Sequence, residues 1–210
     1  MPTSKTQPVI AATEGAQRAL ILTRAARLFR KKGFERTTVK EIAQACEMLP
    51  GSLYYRYKTK EELLVDLMRY GIEDVMQDVL ASFEQTEDPS EQLRYCINAH
   101  LRALVSDSDL IFVLLFEWRA LGGEAQSDII ALRDDYERLW SDILEAMVQE
   151  GVLKPDVDLK LLRLVGIGSL NWVATWYDPE GPYDLDQIGG FLWRIIVDAL
   201  LAGGARGAPS

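Results

Sequence analysis

Apolar residues recur along this chain at intervals of three and four almost from end to end, the spacing of one face of an α-helix. Residues 1–12, rich in Pro, Thr, Ser and Ala, break the pattern and read as a flexible arm. From Thr13 the period sets in, with Leu22, Ala25, Ala26 and Phe29 on one face, and Gly33 supplies a stop. Thr37 or Thr38 can cap a second, short helix with the stripe Val39, Ile42, Ala43 and Cys46, ending near Glu47. Pro50 suits the first turn of a third helix carrying Leu53, Tyr54 and Tyr57. Thr59 with Glu62 three residues on predicts a capping box for a fourth helix, from Lys60 to about Phe83.

The same reading continues to the end of the chain. Helices are predicted from Asp88-Pro89-Ser90 to about Val105, and from Asp107-Ser108-Asp109 through the apolar run LIFVLLFEWRAL to Gly122-Gly123. Others are predicted over 125–150, from Asp158 to about Tyr177, and from Asp184 through Leu201. No alternating pattern competes, so the fold class is all-α with about nine helices. The expected division is a flexible arm over 1–12, a small three-helix domain over 13–60, a larger helical domain over 61–203, and a tail over 204–210.

Charge sharpens this picture. The 210 residues carry a net charge of −9, which by itself argues against a nucleic-acid partner. Its distribution reverses the inference. Residues 1–60 hold 12 Lys and Arg against 4 Asp and Glu, whereas the remaining 150 residues hold 11 against 28. A basic front and an acidic remainder fit a molecule that meets a polyanion at one end only. No apolar run reaches the roughly 18 to 20 residues of a membrane span. The opening MPTSKTQPVIAATEG has no basic segment followed by an apolar one, so no secretory leader and a cytoplasmic protein are expected. Cys46 and Cys96 lie in apolar helical stripes without metal-ligand spacing and are expected to be buried free thiols.

The segment VKEIAQACEMLPGSLYYRY joins two short helices by a tight connection, the pattern of a helix-turn-helix. Small residues at the front of its second helix, Pro50, Gly51 and Ser52, let the backbone approach a groove, while Tyr55 and Arg56 project beyond them. Over positions 21–64 the chain resembles the TetR family of regulators, through Ala25/Phe29, Gly33-Phe34, Thr37-Thr38, Ile42-Ala43, Gly51-x-Leu53-Tyr54-x-x-Tyr57 and Lys60-Glu61. The resemblance implies phosphate contacts from Thr37, Thr38, Tyr54, Tyr55 and Lys60, and groove or base contacts from Pro50, Gly51, Ser52 and Tyr55. It also implies a homodimer that reads a pseudo-palindromic operator in double-stranded DNA. Glu47 stands where the family usually has a turn glycine, Leu49 where it often has a capping Ser or Thr, and Tyr57 where Phe is common. A left-handed non-glycine residue and a third helix without a side-chain cap are therefore expected.

The stretch GIGSLNWVATWYDPEGP, positions 166–182, resembles the acyl-CoA-responsive branch of that family, which represses genes of fatty-acid or sterol-ring degradation. A pocket for an acyl chain needs an apolar lining and a few polar groups. Phe112, Leu115, Phe116, Trp118, Trp172 and Trp176 are candidates for the lining. His100, Arg119, Asn171 and Tyr177 are candidate orienting groups, and Gly168 marks a place where a cavity could open. Arg102, Arg119, Arg133 and Arg138 are available to a CoA phosphate. A sensor of other lipophiles or drugs, controlling an efflux or stress gene, is the alternative. The last two helices are apolar over more than one face (Leu161, Leu162, Leu164, Val165, Leu170; Ile188, Phe191, Leu192, Ile195, Ile196), as a dimeric four-helix bundle requires. His100 is the only histidine, and neither G-x-S-x-G nor a phosphate-binding glycine motif occurs, so no catalytic residues, metal site or cofactor are expected.

Overall fold

The computed structural model describes the backbone of residues 7–83 and 85–200, and the side chains of 14–83, 85–197 and 200. The described residues form nine α-helices and no strand: α1 Gln7–Lys32, α2 Val39–Ala45, α3 Pro50–Arg56, α4 Lys60–Phe83, α5 Pro89–Ser106, α6 Ser108–Phe116, α7 Gly123–Gln149, α8 Leu159–Val173 and α9 Leu185–Leu200. A 3-10 turn, Trp118–Ala120, lies between α6 and α7. They group into two compact units, one of residues 7–71 and 109–129, the other of 72–83, 85–108 and 130–200. The boundaries fall inside α4, after the first residue of α6, and inside α7. The front half of α4 and nearly all of α6 thus belong with α1–α3, beyond the sequence boundary at residue 60.

In the first unit the expected stripes meet. Leu22, Ala25, Ala26 and Phe29 of α1, Ile42 and Ala43 of α2, Leu53 of α3 and Leu63, Leu64 and Leu67 of α4 are fully or almost fully buried. Thr38 caps α2: its hydroxyl oxygen accepts from the Glu41 backbone N–H, and Glu41 accepts in return from the Thr38 N–H at 2.9 Å. Lys32 pairs with the same carboxylate and, with these bonds, holds the Glu41 pKa down to about 2. At α4 the expected box is only half formed. Thr59 accepts from the Glu62 N–H at 3.0 Å, but the Glu62 carboxylate takes the N–H of Lys58 instead. Gly71 lets α6 lie against α4, since a Cβ there would come within 2.7 Å of a Leu114 methyl.

The second unit packs α5 against α8 and α9, with Leu93, Cys96, Ile97, Leu101 and Leu104 of α5 buried. Trp140, Ile143, Leu144 and Met147 of α7, and Ile167, Leu170 and Val173 of α8, are buried in the same unit. Asp88 and Asp158 cap α5 and α8 through backbone N–H groups of their first turns. At Gly189, α9 approaches α5 so closely that a Cβ would lie 2.2 Å from the Asn98 amide oxygen. Both thiols are free and buried, and burial pushes their pKa values up.

Three helix ends differ from the sequence expectation. Helical backbone begins at Gln7, so 7–12 are not an irregular arm; residues 1–6 and the tail 204–210 lie outside the described residues. The run after Asp107 does not continue as one helix. It stops at Phe116 and tightens into the 3-10 turn through Ala120 N–H to Glu117 C=O at 2.9 Å, which leads the chain into Gly122-Gly123. Helix α8 ends at Val173 rather than near Tyr177, because the Thr175 hydroxyl donates to the Trp172 carbonyl at 2.7 Å and the backbone turns through i+3 bonds.

Candidate nucleic-acid interface and effector site

The turn before α3 is built as the sequence departures imply. Glu47 sits at φ 55, the conformation a glycine would adopt without strain. Leu49 occupies the N-cap of α3 without a side-chain hydrogen bond, and Pro50 opens the helix. Leu53 and Tyr57 anchor α3 inward. The Tyr57 hydroxyl donates to Asp66 at 2.6 Å, and Arg18 grips the same carboxylate at 2.7 Å while lying over the Tyr70 ring. Burial alone would raise the Asp66 pKa, but the bonds from Arg18 and Tyr57 outweigh it and hold the carboxyl low. Burial, reinforced by Asp66, pushes the Tyr57 hydroxyl up.

With its inner face locked, α3 leaves its other side bare. Tyr55 is 85% exposed and Tyr54 47%; Gly51 and Ser52 are exposed, and Pro50 and Arg56 are half-buried. A Cβ on Gly51 would meet nothing within 4 Å, so no packing inside the chain calls for a glycine there.

Three of the expected phosphate contacts are otherwise engaged. Thr37 is buried, its hydroxyl donating to Gly33 C=O at 2.9 Å, so in the free chain it stabilises the α1–α2 turn. The Thr38 hydroxyl is occupied in the cap of α2. Lys60 donates to Phe34 C=O at 2.6 Å and Glu35 C=O at 3.1 Å and lies over the Phe34 ring, tying the start of α4 to the α1–α2 turn.

Eight of the candidate effector residues fall into three groups. His100 and Asn171 meet in the core of the second unit. His100 Nδ1 is 2.6 Å from the Tyr136 hydroxyl, Nε2 is 3.1 Å from Asn171 Oδ1, and the ring stacks on Tyr136 and meets Trp140 edge-on. Since the amide oxygen only accepts, the proton sits on Nε2, and Nδ1 accepts from the phenol. Burial, only partly opposed by the Asn171 bond, lowers the His100 pKa to about 4. Tyr136 and Trp140 are functional candidates that the sequence reading passed over. Their signal was a tyrosine and a tryptophan four apart on a buried helical stripe, where a hydroxyl needs a partner.

Gly168, Trp172 and Trp176 do not join His100. They line an open groove of about 1120 Å³ between α8 and α9 with Leu164, Tyr183 and Phe191. Trp172 is 65% exposed although the adjacent Asn171 is half-buried, because successive helix positions are turned by about 100°. Phe112, Phe116 and Arg119 belong to the first unit. Phe112 packs on Phe116 and under Arg30, while Phe116 and Arg119 are exposed, Arg119 lying over the Trp118 ring. Of the arginines available to a CoA phosphate, Arg102 pairs with Asp186 and Arg138 with Asp135. Among the described residues no helix is long and apolar enough to cross a membrane, and no group of three metal-ligating side chains occurs.

A short helix locked by its inner face, bare at its front and preceded by a tight turn, defines a helix-turn-helix regulator. Residues 21–67 match the model of the tetR family of bacterial regulatory proteins, and residues 86–200 match the tetracyclin repressor-like C-terminal domain; the chain belongs to the TetR family. Members of this family are dimeric DNA-binding transcriptional regulators, not enzymes. The chain is 28% identical over 193 residues to the HTH-type transcriptional repressor KstR2 of Mycobacterium tuberculosis, covering 91% of this chain and 96% of that protein. It is also similar to AibR, solved in complex with isovaleryl coenzyme A and operator DNA (28% identity, TM-score 0.77, 89% of this chain and 98% of that one). The regulator PfmR of Thermus thermophilus is 30% identical with a TM-score of 0.76, covering 85% of this chain and 97% of that one.

Proposed function

We propose that this protein is a cytoplasmic repressor that binds a pseudo-palindromic operator as a homodimer and is released by an acyl-CoA thioester. The observation that carries the DNA reading is the bare front of α3, where Gly51, Ser52 and Tyr55 face solvent on a helix fixed from behind by Tyr57, Asp66 and Arg18. The basic first 60 residues supply the long-range attraction, and the acidic remainder repels DNA and so orients the encounter. Residues 13–60 carry DNA binding in this reading, and 61–203 carry the effector and the dimer contacts.

The effector reading rests on the trio His100, Tyr136 and Asn171, a patch of hydrogen-bonding groups inside an otherwise apolar core. A neutral imidazole and a phenol can donate to a thioester carbonyl, and the apolar side chains around them suit an acyl chain. The similar AibR holds isovaleryl coenzyme A. Because the trio is already internally bonded, a ligand must replace those bonds as it enters, so its binding is tied to a rearrangement of α5, α7 and α8. Only tighter binding to the rearranged state than to the DNA-binding state can drive release.

The DNA reading is tested by measuring affinity for operator duplex over a range of salt. Tyr55→Ala should weaken binding about ten-fold or more with an unchanged salt slope, as for a lost base contact. Arg56→Ala should lower the slope by about 1.8, as for two lost phosphate contacts, one from each protomer of the dimer. Both variants should keep the native melting temperature, since neither side chain is buried. Unchanged affinity and slope in the double variant would show that α3 is not the DNA-binding element.

A further inference from the structure

Leu49 is the anomaly of the DNA-binding unit. It caps α3, yet its side chain makes no cap bond, where Ser, Thr, Asp or Asn would stabilise the helix. It is 77% exposed, so it gives the core little in return. Its position is nonetheless fixed. The Leu49 carbonyl accepts from Ser52 at 3.0 Å, Met48 N–H donates to Ala43 C=O at 2.9 Å, Pro50 restricts the backbone behind it, and φ is −68. The fold thus fixes the backbone that carries a large apolar side chain into water, immediately before Pro50, Gly51 and Ser52, at the end of the helix that enters the groove.

On the base edges of the major groove one group is apolar, the C5-methyl of thymine; the others are hydrogen-bond donors and acceptors that a leucine cannot satisfy. We infer that Leu49 is a specificity-determining residue that packs on a thymine methyl in each operator half-site. This rests on α3 being the recognition helix. The side chain then finds in the complex the apolar neighbour that the free protein denies it, and a different base at that step leaves it against polar edges.

The test begins by selecting tight-binding duplexes from a randomised library with the native dimer, then replacing each thymine in turn by deoxyuridine, which removes only the methyl. Losing one buried methyl should weaken native binding about four-fold per half-site, so about sixteen-fold when both half-sites are changed. Leu49→Ala should bind the thymine and uracil duplexes alike, and selection with Leu49→Ser should lose the preference for thymine at that step alone. Equal uracil penalties for native protein and Leu49→Ala at every position would overturn the inference while leaving α3 as the reader of DNA. So would an unchanged selected sequence with Leu49→Ser. Failure of native protein to enrich any duplex would overturn the DNA reading and this inference with it.

Discussion

Replacing Phe191 and Ile195 by Glu should convert the protein from dimer to monomer and weaken operator binding by about 100-fold or more. Both side chains are more than half exposed in the single chain, and the α8 face of the same unit adds Leu161, Leu164, Val165 and Trp172. So much contiguous apolar surface on one molecule marks an association site. Gly168 lies among these residues with nothing within 4 Å of a Cβ position, which leaves room for a second chain to approach. The interface of a two-fold dimer meets every substitution twice, so the double change buries four unpaired carboxylates. Each costs several kcal/mol when desolvated without a partner. A monomer presents one recognition helix and loses the second half-site. Leu192 and Ile196, which sequence pattern also placed on this face, are half-buried within the chain; changing them would test folding rather than assembly. Sedimentation showing an intact dimer for the Phe191/Ile195 variant would place the interface elsewhere.

Acid should destabilise the protein in a window set by His100. In the folded chain its pKa is lowered to about 4 by burial, against an ordinary value of 6.5, so the unfolded chain binds its proton first. Above pH 6.5 both states are neutral at this residue and the full stability is present. Between pH 6.5 and 4 the unfolded state holds the extra proton, and stability falls with pH by up to about 3 kcal/mol. Denaturant melts across that range should separate the native protein from His100→Gln, which keeps hydrogen-bonding groups toward Tyr136 and Asn171 but does not titrate. The native curve should fall more steeply by that amount. Below about pH 4 the two curves should run parallel, as carboxylates held low in the folded state, such as Glu41 and Asp66, titrate in both. Parallel curves between pH 6.5 and 4 would mean that the imidazole does not remain buried and neutral.

Much of this was legible in the residues themselves. The period of apolar positions and the caps at Thr38, Asp88 and Asp158 place the helices to within a few residues, because a cap and a stripe are local properties. The turn at Glu47 and the uncapped start of α3 follow from single residue types in a known pattern. What could not be read is which way neighbouring side chains face once helices pack. Thr37 and Thr38 are equivalent as text, but one is buried against Gly33 and Leu28 and the other caps α2. Asn171 and Trp172 are adjacent, yet one bonds His100 and the other lines the outer groove. The lone His100 was visible, whereas Tyr136 lies 36 residues away on another helix and is joined to it only by tertiary packing.

An acyl thioester and operator DNA should compete for two states of one dimer. The competition is measured by titrating the operator-bound native protein with acyl-CoA thioesters of increasing chain length or ring number, the matching free acids and hydrophobic cationic drugs, following the anisotropy of labelled duplex. Thioesters at micromolar concentration should release the DNA, and Tyr136→Phe, which removes the hydroxyl beside His100, should shift the release curve to higher concentration. Release by the cationic drugs with no response to any thioester would overturn the acyl-CoA reading and make the protein a sensor of other lipophiles.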